Sequence, residues 1–581
     1  MATPAALGRP HILSRLMRLQ STLPALVLGL AALPAAAHAQ YIIGERDARA
    51  LRADSVFRRF DRSDAPGCAL GVYQDGRLLY ARGYGMASLE HGIALSPRSV
   101  LDVGSISKQF TAMAILLLQR DGKLSLDDPI RKLFPEMPPY ADSVTWRRAL
   151  SQTSGLRDLW TLWGLTGRTF RGDSIDALRV ITRSAGTNYP PGARYLYTNS
   201  GWILAAQAVY RLTGQSLAQF AEARIFAPLG MRDTRYFGDN AMVIPGLATA
   251  YSPQANGAFR VARNSYDGAI VGAGGVHTTI EDFGRWLDNY DRLLVGDASI
   301  VRTMMTPTAL TDGSPARVDV NQAYAVGLNA GTLRGLPVIS HGGSWAGYRG
   351  HFLRFPEQRM AVATFCNVAN AGPDTLARQV AAVYLGDRMS PDTAGAWVAA
   401  LDAAPAVTVP EAERKAIIGI WRNVARGQLQ RIRLAGDTLI AVGGERTRVV
   451  PLGGGRFRLG RGTELRLASG SGGARLLVRG ASDTSSYERV DSVALTATQL
   501  AEYAGEYRNE EIETTQSWRV EKGELVAYAA GRRLGTVDPT YRDGFVRDAA
   551  VIDMTRDARG RITGFMLQSG RVRELQFTRV R

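Results

Sequence analysis

The 581-residue chain has few lysines, histidines and cysteines, and these shortages exclude several classes of protein. Only five of its 70 basic residues are lysines, so arginine is its ordinary surface cation. The basic residues are interleaved with acidic ones rather than grouped in runs, which indicates a solvated surface and argues against a nucleic-acid partner. The six histidines lack metal-ligand spacing and there is no glycine-rich phosphate loop, so we expect neither a metal nor another cofactor.

The two cysteines, Cys68 and Cys366, are too few for a disulfide framework. Both lie in apolar runs with strand character, so the first interpretation is a pair of buried free thiols. A single disulfide between them stays open as the alternative, because the sequence does not give the distance between the two residues.

The N-terminus has the pattern of a secretory signal peptide. Arg9, Arg15 and Arg18 precede an apolar run from Leu23 to Leu33, and small residues at 37–39 follow. The run is shorter than the roughly 20 residues that span a bilayer. We expect residues 1–39 to be cleaved before Gln40, with the protein periplasmic or secreted and not stably inserted in the membrane. A retained anchor is the alternative.

The order of strand and helix patterns predicts an α+β domain over residues 40–390. Strand patterns with an Asp75-Gly76 turn come first, a mainly helical stretch follows, and strand patterns return before a last helix. This order implies one sheet closed by both ends of the segment, with helices on its faces. Residues 391–410 have the composition of a linker.

An internal repeat follows the linker. Gly419–Asn423 matches Gly505–Asn509, each with the pattern Gly-x-aromatic-Arg-Asn, and further matches follow at similar offsets. The repeat predicts two all-β modules, residues 411–492 (β module 1) and 493–581 (β module 2), each large enough for a small barrel or sandwich. We expect the first domain to fold without them, because it closes its own sheet.

Ser105-Ile-Ser-Lys108 is the first candidate for chemistry. Three positions apart at the start of a predicted helix from Ser105 to Arg120, the two side chains share a face. A buried lysine can lose its proton and activate a neighbouring hydroxyl, whereas arginine cannot. The alternative is a helix-capping serine with a lysine that extends to solvent.

Two further motifs could complete an acyl-transfer site. Tyr197-Thr-Asn199 offers a proton carrier and an amide, although Asn199 is also a plain candidate for a helix N-cap. His341-Gly-Gly343-Ser344 ends an apolar strand pattern, where glycines allow close approach and backbone N–H groups can bind an oxyanion.

Together, S-x-x-K, Y-x-N and H-x-G in this order resemble the penicillin-binding serine hydrolases. The similarity is strongest to the branch of class C β-lactamases, D-aminopeptidases, DD-carboxypeptidases and related esterases, and it covers about residues 50–388. The implied fold is a five-stranded antiparallel sheet flanked by helices, with a helical subdomain and the site in the cleft between them. The two β modules also resemble barrel domains that follow the catalytic domain in D-aminopeptidases of this family.

The resemblance implies a role for each motif. Ser105 would be the nucleophile and Lys108 its base, while Tyr197 would pass the proton to the leaving group. Asn199 would hold a substrate amide. The backbone N–H groups of Ser105 and Ser344 would form the oxyanion hole.

The resemblance also implies that His341 is a catalytic residue and that Gly343 and Ser344 contact the substrate. His341 departs from the pattern of the class C enzymes, which have lysine at this place. A histidine is mostly neutral at pH 7 and gains charge as the pH falls through about 6.5, so it weakens the anchor for a substrate carboxylate. The departure favours the D-aminopeptidase and esterase branches over a dedicated β-lactamase.

The sequence therefore predicts an exported serine hydrolase acting on a small peptide, preferably of D-amino acids, or on an ester. A β-lactamase or DD-carboxypeptidase is the nearest alternative, and a catalytically silent binding protein is the alternative from another class. Trp160 and Trp163 are candidates for an apolar wall of the site or for the core. The β modules either shape the cleft or serve stability and self-association, and the oligomeric state is not predicted.

Overall fold

A computed structural model describes residues 41–168, 174–239, 241–262, 270–424, 426–443, 445–470, 473–481 and 483–580. Its central element is an antiparallel sheet of eight strands, built from both ends of the first domain. The strand order across the sheet is Ile42–Ile43, Arg77–Tyr84, Cys68–Gln74, Met360–Cys366, Tyr348–Phe355, Leu336–Trp345, Asn329–Leu333 and Gln322–Tyr324. The predicted signal peptide, residues 1–39, lies outside the described residues.

The sheet has the five predicted strands at its centre and three short strands at its edges. The five central strands have 7 to 10 residues each, whereas the edge strands have 2, 3 and 5. The predicted hairpin is present, and its turn residues Asp75 and Gly76 both have positive φ, as a tight hairpin turn requires. The sequence predicts one strand over residues 324–329, where the structure has the two edge strands Gln322–Tyr324 and Asn329–Leu333, and it does not predict Ile42–Ile43.

The cysteines form a disulfide, so the first interpretation of two free thiols was wrong. Cys68 and Cys366 are directly opposite each other on neighbouring strands, and both are buried. The bond joins residues 298 positions apart, which lie on the strands where the two ends of the domain meet.

Helices cover the sheet and build the subdomain beside it. Within the described residues the α-helices of the first domain are Ala48–Val56, Lys108–Arg120, Trp146–Leu150, Leu159–Leu165, Ser174–Thr182, Ser200–Thr213, Leu217–Ala221, Ala227–Leu229, Ile280–Arg292, Ala298–Met305 and Pro373–Leu385. A small sheet of Leu101–Asp102, Val276–Thr278 and Arg235–Tyr236 lies beside the N-terminal end of Lys108–Arg120. None of the described helices is long and apolar enough to cross a membrane.

Two β structures follow. Residues 391–410, predicted as a linker, contain the helix Thr393–Ala403. A closed barrel then runs through Gly419–Asn423, Gln428–Ala435, Thr438–Gly443, Glu445–Gly453, Arg456–Leu459, Glu464–Gly470, Gly473–Arg479 and Thr484–Val490. A nearly closed sheet of nine strands comes last: Gly505–Asn509, Thr514–Glu521, Glu524–Ala529, Arg532–Thr536, Asp538–Tyr541, Gly544–Arg547, Ala550–Arg556, Ile562–Ser569 and Val572–Arg579.

The two halves of the repeat begin with the same local structure. Each first strand follows a short helix, Glu411–Ile417 or Ala497–Ala501. The buried aromatic residue of each motif, Trp421 or Tyr507, donates a hydrogen bond to the backbone carbonyl four residues earlier. The repeated sequence pattern therefore corresponds to a repeated way of fixing the chain at the entrance to each β structure.

One of the two β structures has an apolar core separate from that of the first domain, and the other does not. The barrel has its own core, which includes Trp421, Phe457 and Leu465. The buried side chains of the nine-stranded sheet, among them Trp518 and Phe577, belong instead to one continuous core with the helices of the first domain. The nine-stranded sheet and the helical subdomain are therefore packed as one body.

Candidate active site

Ser105 lies in a single 3-10 turn, Gly104–Ser107, just before the helix Lys108–Arg120. The helix was predicted to start at Ser105, so the serine precedes the α-helix proper. The turn begins with Gly104 at φ +52, whose N–H donates to Asp102 Oδ1 at 2.6 Å. The Ser107 hydroxyl donates to the Gly104 carbonyl and accepts from the Val276 N–H, so the turn is fixed from two sides.

Lys108 is fully buried directly beneath the serine. Its Nζ donates to Ser105 Oγ at 3.0 Å, to Asn199 Oδ1 at 3.0 Å and to the Ala273 carbonyl at 2.6 Å. Burial holds the pKa of this amine well below its usual range, and the Arg571 cation acts in the same direction. An amine that is readily neutral and in contact with a hydroxyl can accept the proton of that hydroxyl.

Tyr197 and Asn199 lie next to Lys108, immediately before the helix Ser200–Thr213. The Lys108 Nζ is 5.0 Å from the centre of the Tyr197 ring, and the Tyr197 hydroxyl is buried. Burial raises the pKa of that hydroxyl above its usual value, while the nearby Ser105 side chain acts in the opposite sense. Tyr197 is therefore a phenol that can donate a proton beside the serine.

The amide of Asn199 is held by protein groups at both ends. Its Oδ1 accepts from Lys108, and its Nδ2 donates to Asp158 Oδ1 at 3.1 Å, which also accepts from the Asn199 backbone N–H. Asn199 does not cap its helix with its side chain, so the plain N-cap interpretation does not apply. Because Nδ2 has two hydrogens, one is still able to reach a substrate carbonyl.

The third motif lies on the site strand, Leu336–Trp345. Residues 336–340 of this strand pair with Asn329–Leu333 on one side, but residues 341–345 pair only with Tyr348–Phe355 on the other. Half of the site strand therefore has a free edge toward the turn Gly104–Ser107, which is called the serine turn below. Glycines allow the close approach: a Cβ on Gly343 would lie 1.8 Å from the Val103 carbonyl oxygen, and one on Gly104 would lie 2.5 Å from the Ser344 nitrogen.

His341 is held in place by two hydrogen bonds. Its Nδ1 is 2.6 Å from the Gly342 carbonyl and its Nε2 is 3.0 Å from the Tyr324 hydroxyl, so the network assigns the proton to Nδ1. Burial, and next the charge of Lys108, lower the pKa of His341 to about 3. The expectation that it gains charge near pH 6.5 was therefore wrong, because the ring is buried against other groups of the site.

These groups surround one open cavity of about 650 Å³. The predicted residues that line it are Ser105, Tyr197, Asn199, His341, Gly343 and Ser344, while Lys108 lies buried below them. Trp160 and Trp345 also line the cavity, with ring centres 5.7 Å apart, so Trp160 contributes an apolar wall as well as packing on the core. Trp163 packs against the core.

Three residues of the site were missed by sequence reasoning. Asp158 holds Asn199, Tyr324 holds His341, and Arg571 comes from β module 2 to line the cavity. None of them belongs to a motif of the first domain. The only sequence feature that points to Asp158 is its position as a helix N-cap, where its Oδ2 accepts from the Thr161 N–H.

Comparison with known proteins identifies the family. The family model described as Beta-lactamase matches residues 53–385, more than half of the chain. A D-aminopeptidase of Cereibacter sphaeroides (strain ATCC 17029) is 28% identical over 462 residues, which cover 77% of this chain and 80% of that protein. The chain belongs to the beta-lactamase family and is a serine hydrolase.

Solved structures agree on the fold. The octameric penicillin-binding protein homologue from Pyrococcus abyssi matches with a TM-score of 0.53 at 19% identity, covering 87% of this chain and 97% of its own. The D-amino acid amidase from Ochrobactrum anthropi complexed with L-phenylalanine matches with a TM-score of 0.51 at 20% identity, covering 58% of this chain and 99% of its own. The penicillin-binding-protein-like fold predicted from the three motifs is confirmed.

Proposed function

We propose that this protein is an exported hydrolase that cleaves amide or ester bonds of small D-amino-acid peptides through an acyl-enzyme on Ser105. The observation that carries the proposal is the 3.0 Å contact between Ser105 Oγ and a fully buried Lys108 Nζ. The names of the D-aminopeptidase relatives support a D-amino-acid substrate. The volume of the cavity suits a substrate of the size of a small peptide.

In acylation, neutral Lys108 takes the proton from Ser105 Oγ as the oxygen attacks the substrate carbonyl carbon. The developing oxyanion accepts hydrogen bonds from the backbone N–H groups of Ser105 and Ser344, at the contact between the serine turn and the free edge of the site strand. Tyr197 donates its proton to the leaving amine or alkoxide, and the Lys108 ammonium returns a proton to Tyr197.

Deacylation reverses these transfers. A water molecule takes the place of the leaving group, gives its proton to the Tyr197 and Lys108 pair, and attacks the acyl carbon. The Ser105 oxygen recovers a proton as the acid product leaves. Asn199, which is itself held by Asp158, keeps the Lys108 amine in place through both half-reactions.

The disulfide supports the proposed export. Structural disulfides form in oxidising compartments such as the periplasm or the extracellular space, and Cys68 and Cys366 are bonded in the centre of the sheet. We therefore propose a periplasmic or secreted protein whose residues 1–39 act as the signal peptide. Mass spectrometry of the mature N-terminus would test cleavage before Gln40.

The catalytic proposal is tested with p-nitroanilides and p-nitrophenyl esters of D- and L-amino acids, with nitrocefin as the β-lactam. We expect turnover of D-amino-acid substrates, labelling of Ser105 by a fluorophosphonate, and loss of both in Ser105→Ala. Ser55→Ala is the matched control at an exposed hydroxyl outside the site, whose Oγ donates to the Arg52 carbonyl, and it should still be labelled. Absence of labelling in the wild type would instead favour a silent binding protein, and preferred turnover of nitrocefin would favour a β-lactamase.

A further inference from the structure

A hairpin from β module 2 reaches the cavity of the first domain. Its two strands are Ile562–Ser569 and Val572–Arg579, and Arg571 lies at the tip that connects them. The Arg571 guanidinium is 4.7 Å from the centre of the Tyr197 ring and 3.7 Å from Asp158 Oδ1. A residue from the last strands of the chain thus lies beside the proposed proton donor.

The hairpin tip is held in a defined position. Asn188 donates from Nδ2 to the Arg571 carbonyl at 3.0 Å and accepts from the Arg573 N–H at 2.7 Å, so one side chain holds both sides of the turn. Gly570 is so close to Thr161 that a Cβ there would lie 3.3 Å from the threonine hydroxyl. A loop that is bonded in this way presents its side chain at a fixed place in the cavity.

Nearby, β module 2 is anchored to the first domain by a buried ion pair and by a hydrogen bond to the hairpin. Arg157 and Glu511 are 2.5 Å apart, with side chains only 7% and 6% exposed, and Arg157 also donates to the Glu574 carbonyl. Removing one partner of such a pair would leave a buried charge, which makes separation of the two surfaces costly. The position of Arg571 is therefore a property of the folded molecule and not of a free loop.

Arg571 is the cation of the cavity that is best placed to meet a ligand. Among the described lining residues the other arginine is Arg349, whose guanidinium donates to the backbone carbonyls of Ala346 and Tyr348. The lining carboxylate, Asp374, pairs with Arg378. The Arg571 side chain is 41% exposed, and its distance of 3.7 Å to Asp158 Oδ1 is too long for a hydrogen bond. Most of its five N–H donors therefore remain for a ligand.

We propose that Arg571 determines specificity: it receives a carboxylate of the substrate and disfavours substrates with a free ammonium group next to the scissile bond. This proposal rests on the proposed function and narrows its substrate class to acylated, anionic peptides or esters. Guanidinium and carboxylate form a geometrically matched, charge-assisted pair, whereas an ammonium group near the same guanidinium is repelled. His341 cannot serve as this anchor, because both its nitrogens are bonded within the protein.

The test uses three p-nitroanilides of D-phenylalanine whose acyl end carries a different charge: N-succinyl (negative), N-acetyl (neutral) and unblocked (positive). We expect the wild type to prefer the succinyl over the acetyl compound by about tenfold in kcat/KM, equivalent to about 1.4 kcal/mol. Arg571→Gln should remove this preference, Arg571→Lys should keep most of it, and Arg571→Glu should favour the unblocked compound. Arg561→Gln, at an exposed arginine of the neighbouring turn that pairs with Asp557, is the matched control and should behave as wild type.

The same preference is measured without turnover, as the Kd of the three compounds for Ser105→Ala with and without Arg571→Gln. A charge preference in Kd that disappears with Arg571→Gln supports the role of Arg571 in binding. This holds even if none of the three anilides is hydrolysed; that result would contradict the proposed reaction and leave the binding role standing. Equal Kd values for the three compounds, or an equal loss for all three in Arg571→Gln, would overturn the role of Arg571. If the wild type nevertheless hydrolyses the anilides, the proposed reaction stands and only the role of Arg571 is wrong.

Discussion

Lys108 matters at the scale of single residues because its burial changes what its amine can do. The fold surrounds Nζ with an asparagine oxygen, a backbone carbonyl and the serine hydroxyl, and no carboxylate of the described residues is in hydrogen-bond contact with it. Three oxygen acceptors orient the amine toward Ser105, and burial disfavours its charged form. The same position filled by arginine would hold a permanent charge and could not accept a proton.

Lys108→Arg should therefore be nearly as damaging as Lys108→Ala. We expect both to lower kcat/KM on a D-amino-acid p-nitroanilide by at least about 100-fold, or about 2.7 kcal/mol. Thermal unfolding measured in parallel separates lost chemistry from lost fold. If Lys108→Arg kept more than about a tenth of the wild-type kcat/KM, a loss below about 1.4 kcal/mol, the general-base role would be wrong.

His341 links the site to the pH dependence of stability. Its folded pKa of about 3 lies below the ordinary value of about 6.5, so between these values the unfolded chain binds a proton that the folded protein does not. The free energy of unfolding therefore falls as the pH drops from about 6.5 toward 3, by up to about 1.4 kcal/mol per pH unit for this group. His351, with a buried ring and a pKa lowered to about 4, adds to the same slope.

His341→Gln should make this slope shallower by about one proton, because glutamine can keep both hydrogen bonds but does not titrate. Urea unfolding at several pH values between 4 and 7 measures the effect, and the exposed His91→Gln is the control. An unchanged slope would mean that His341 is protonated in the folded state.

We also expect the ratio of nitrocefin to ester turnover to be independent of pH from 5.5 to 8, since His341 stays neutral over that range.

At the scale of elements, the contact between the serine turn and the site strand depends on glycine. A Cβ on Gly343 would lie 1.8 Å from a backbone oxygen that no side-chain movement can displace. The strand or the turn would have to shift, and the two N–H groups of the proposed oxyanion hole would move apart. Losing one donor of such a hole typically costs about 100- to 1000-fold in kcat.

Gly343→Ala should therefore lower kcat by at least about 100-fold while KM changes little, because ground-state binding depends less on the oxyanion contact. Gly386→Ala is the matched control: its Cβ would meet nothing within 4 Å, and its φ of −52° suits alanine. Steady-state kinetics on the p-nitroanilide measures both variants. A Gly343→Ala variant with wild-type kcat would show that the free strand edge does not help to stabilise the oxyanion.

The sequence predicts elements well where their determinants are local. The Asp75-Gly76 hairpin follows from a two-residue turn pattern, and the helix after Ser105 follows from its apolar periodicity. The assembly of Ser105, Tyr197 and His341 around one cavity was available only through the resemblance to a family, because no local pattern indicates which distant elements meet. Arg571 was out of reach for the same reason, since nothing around it differs from an ordinary hairpin turn.

At the scale of the whole molecule, the two β modules have different relations to the catalytic domain. The core of the nine-stranded sheet continues into the helical subdomain, whereas the barrel keeps a core of its own. Removal of residues beyond 410 would therefore expose the shared core and leave Arg157 without Glu511, which argues against the expectation that the first domain folds alone.

Truncation after residue 492 should accordingly give insoluble or strongly destabilised protein. Replacing residues 419–490 with a short Gly/Ser linker should be tolerated much better, because the first and last strands of the barrel are paired and its two ends are neighbours. Soluble yield and Tm compare the two variants, and the 419–490 replacement should keep activity on the p-nitroanilide. A soluble, active chain ending at residue 492 would show that the shared core is dispensable.

The Cys68–Cys366 bond has a consequence for how the protein withstands proteases. Every peptide bond between residues 68 and 366 lies inside a covalently closed ring, and this ring contains Ser105, Lys108, Tyr197 and His341. A single cut in any exposed loop of that ring leaves one covalent molecule with all four residues attached. Such a nicked protein would migrate as an intact chain on a non-reducing gel and separate into two fragments only after reduction.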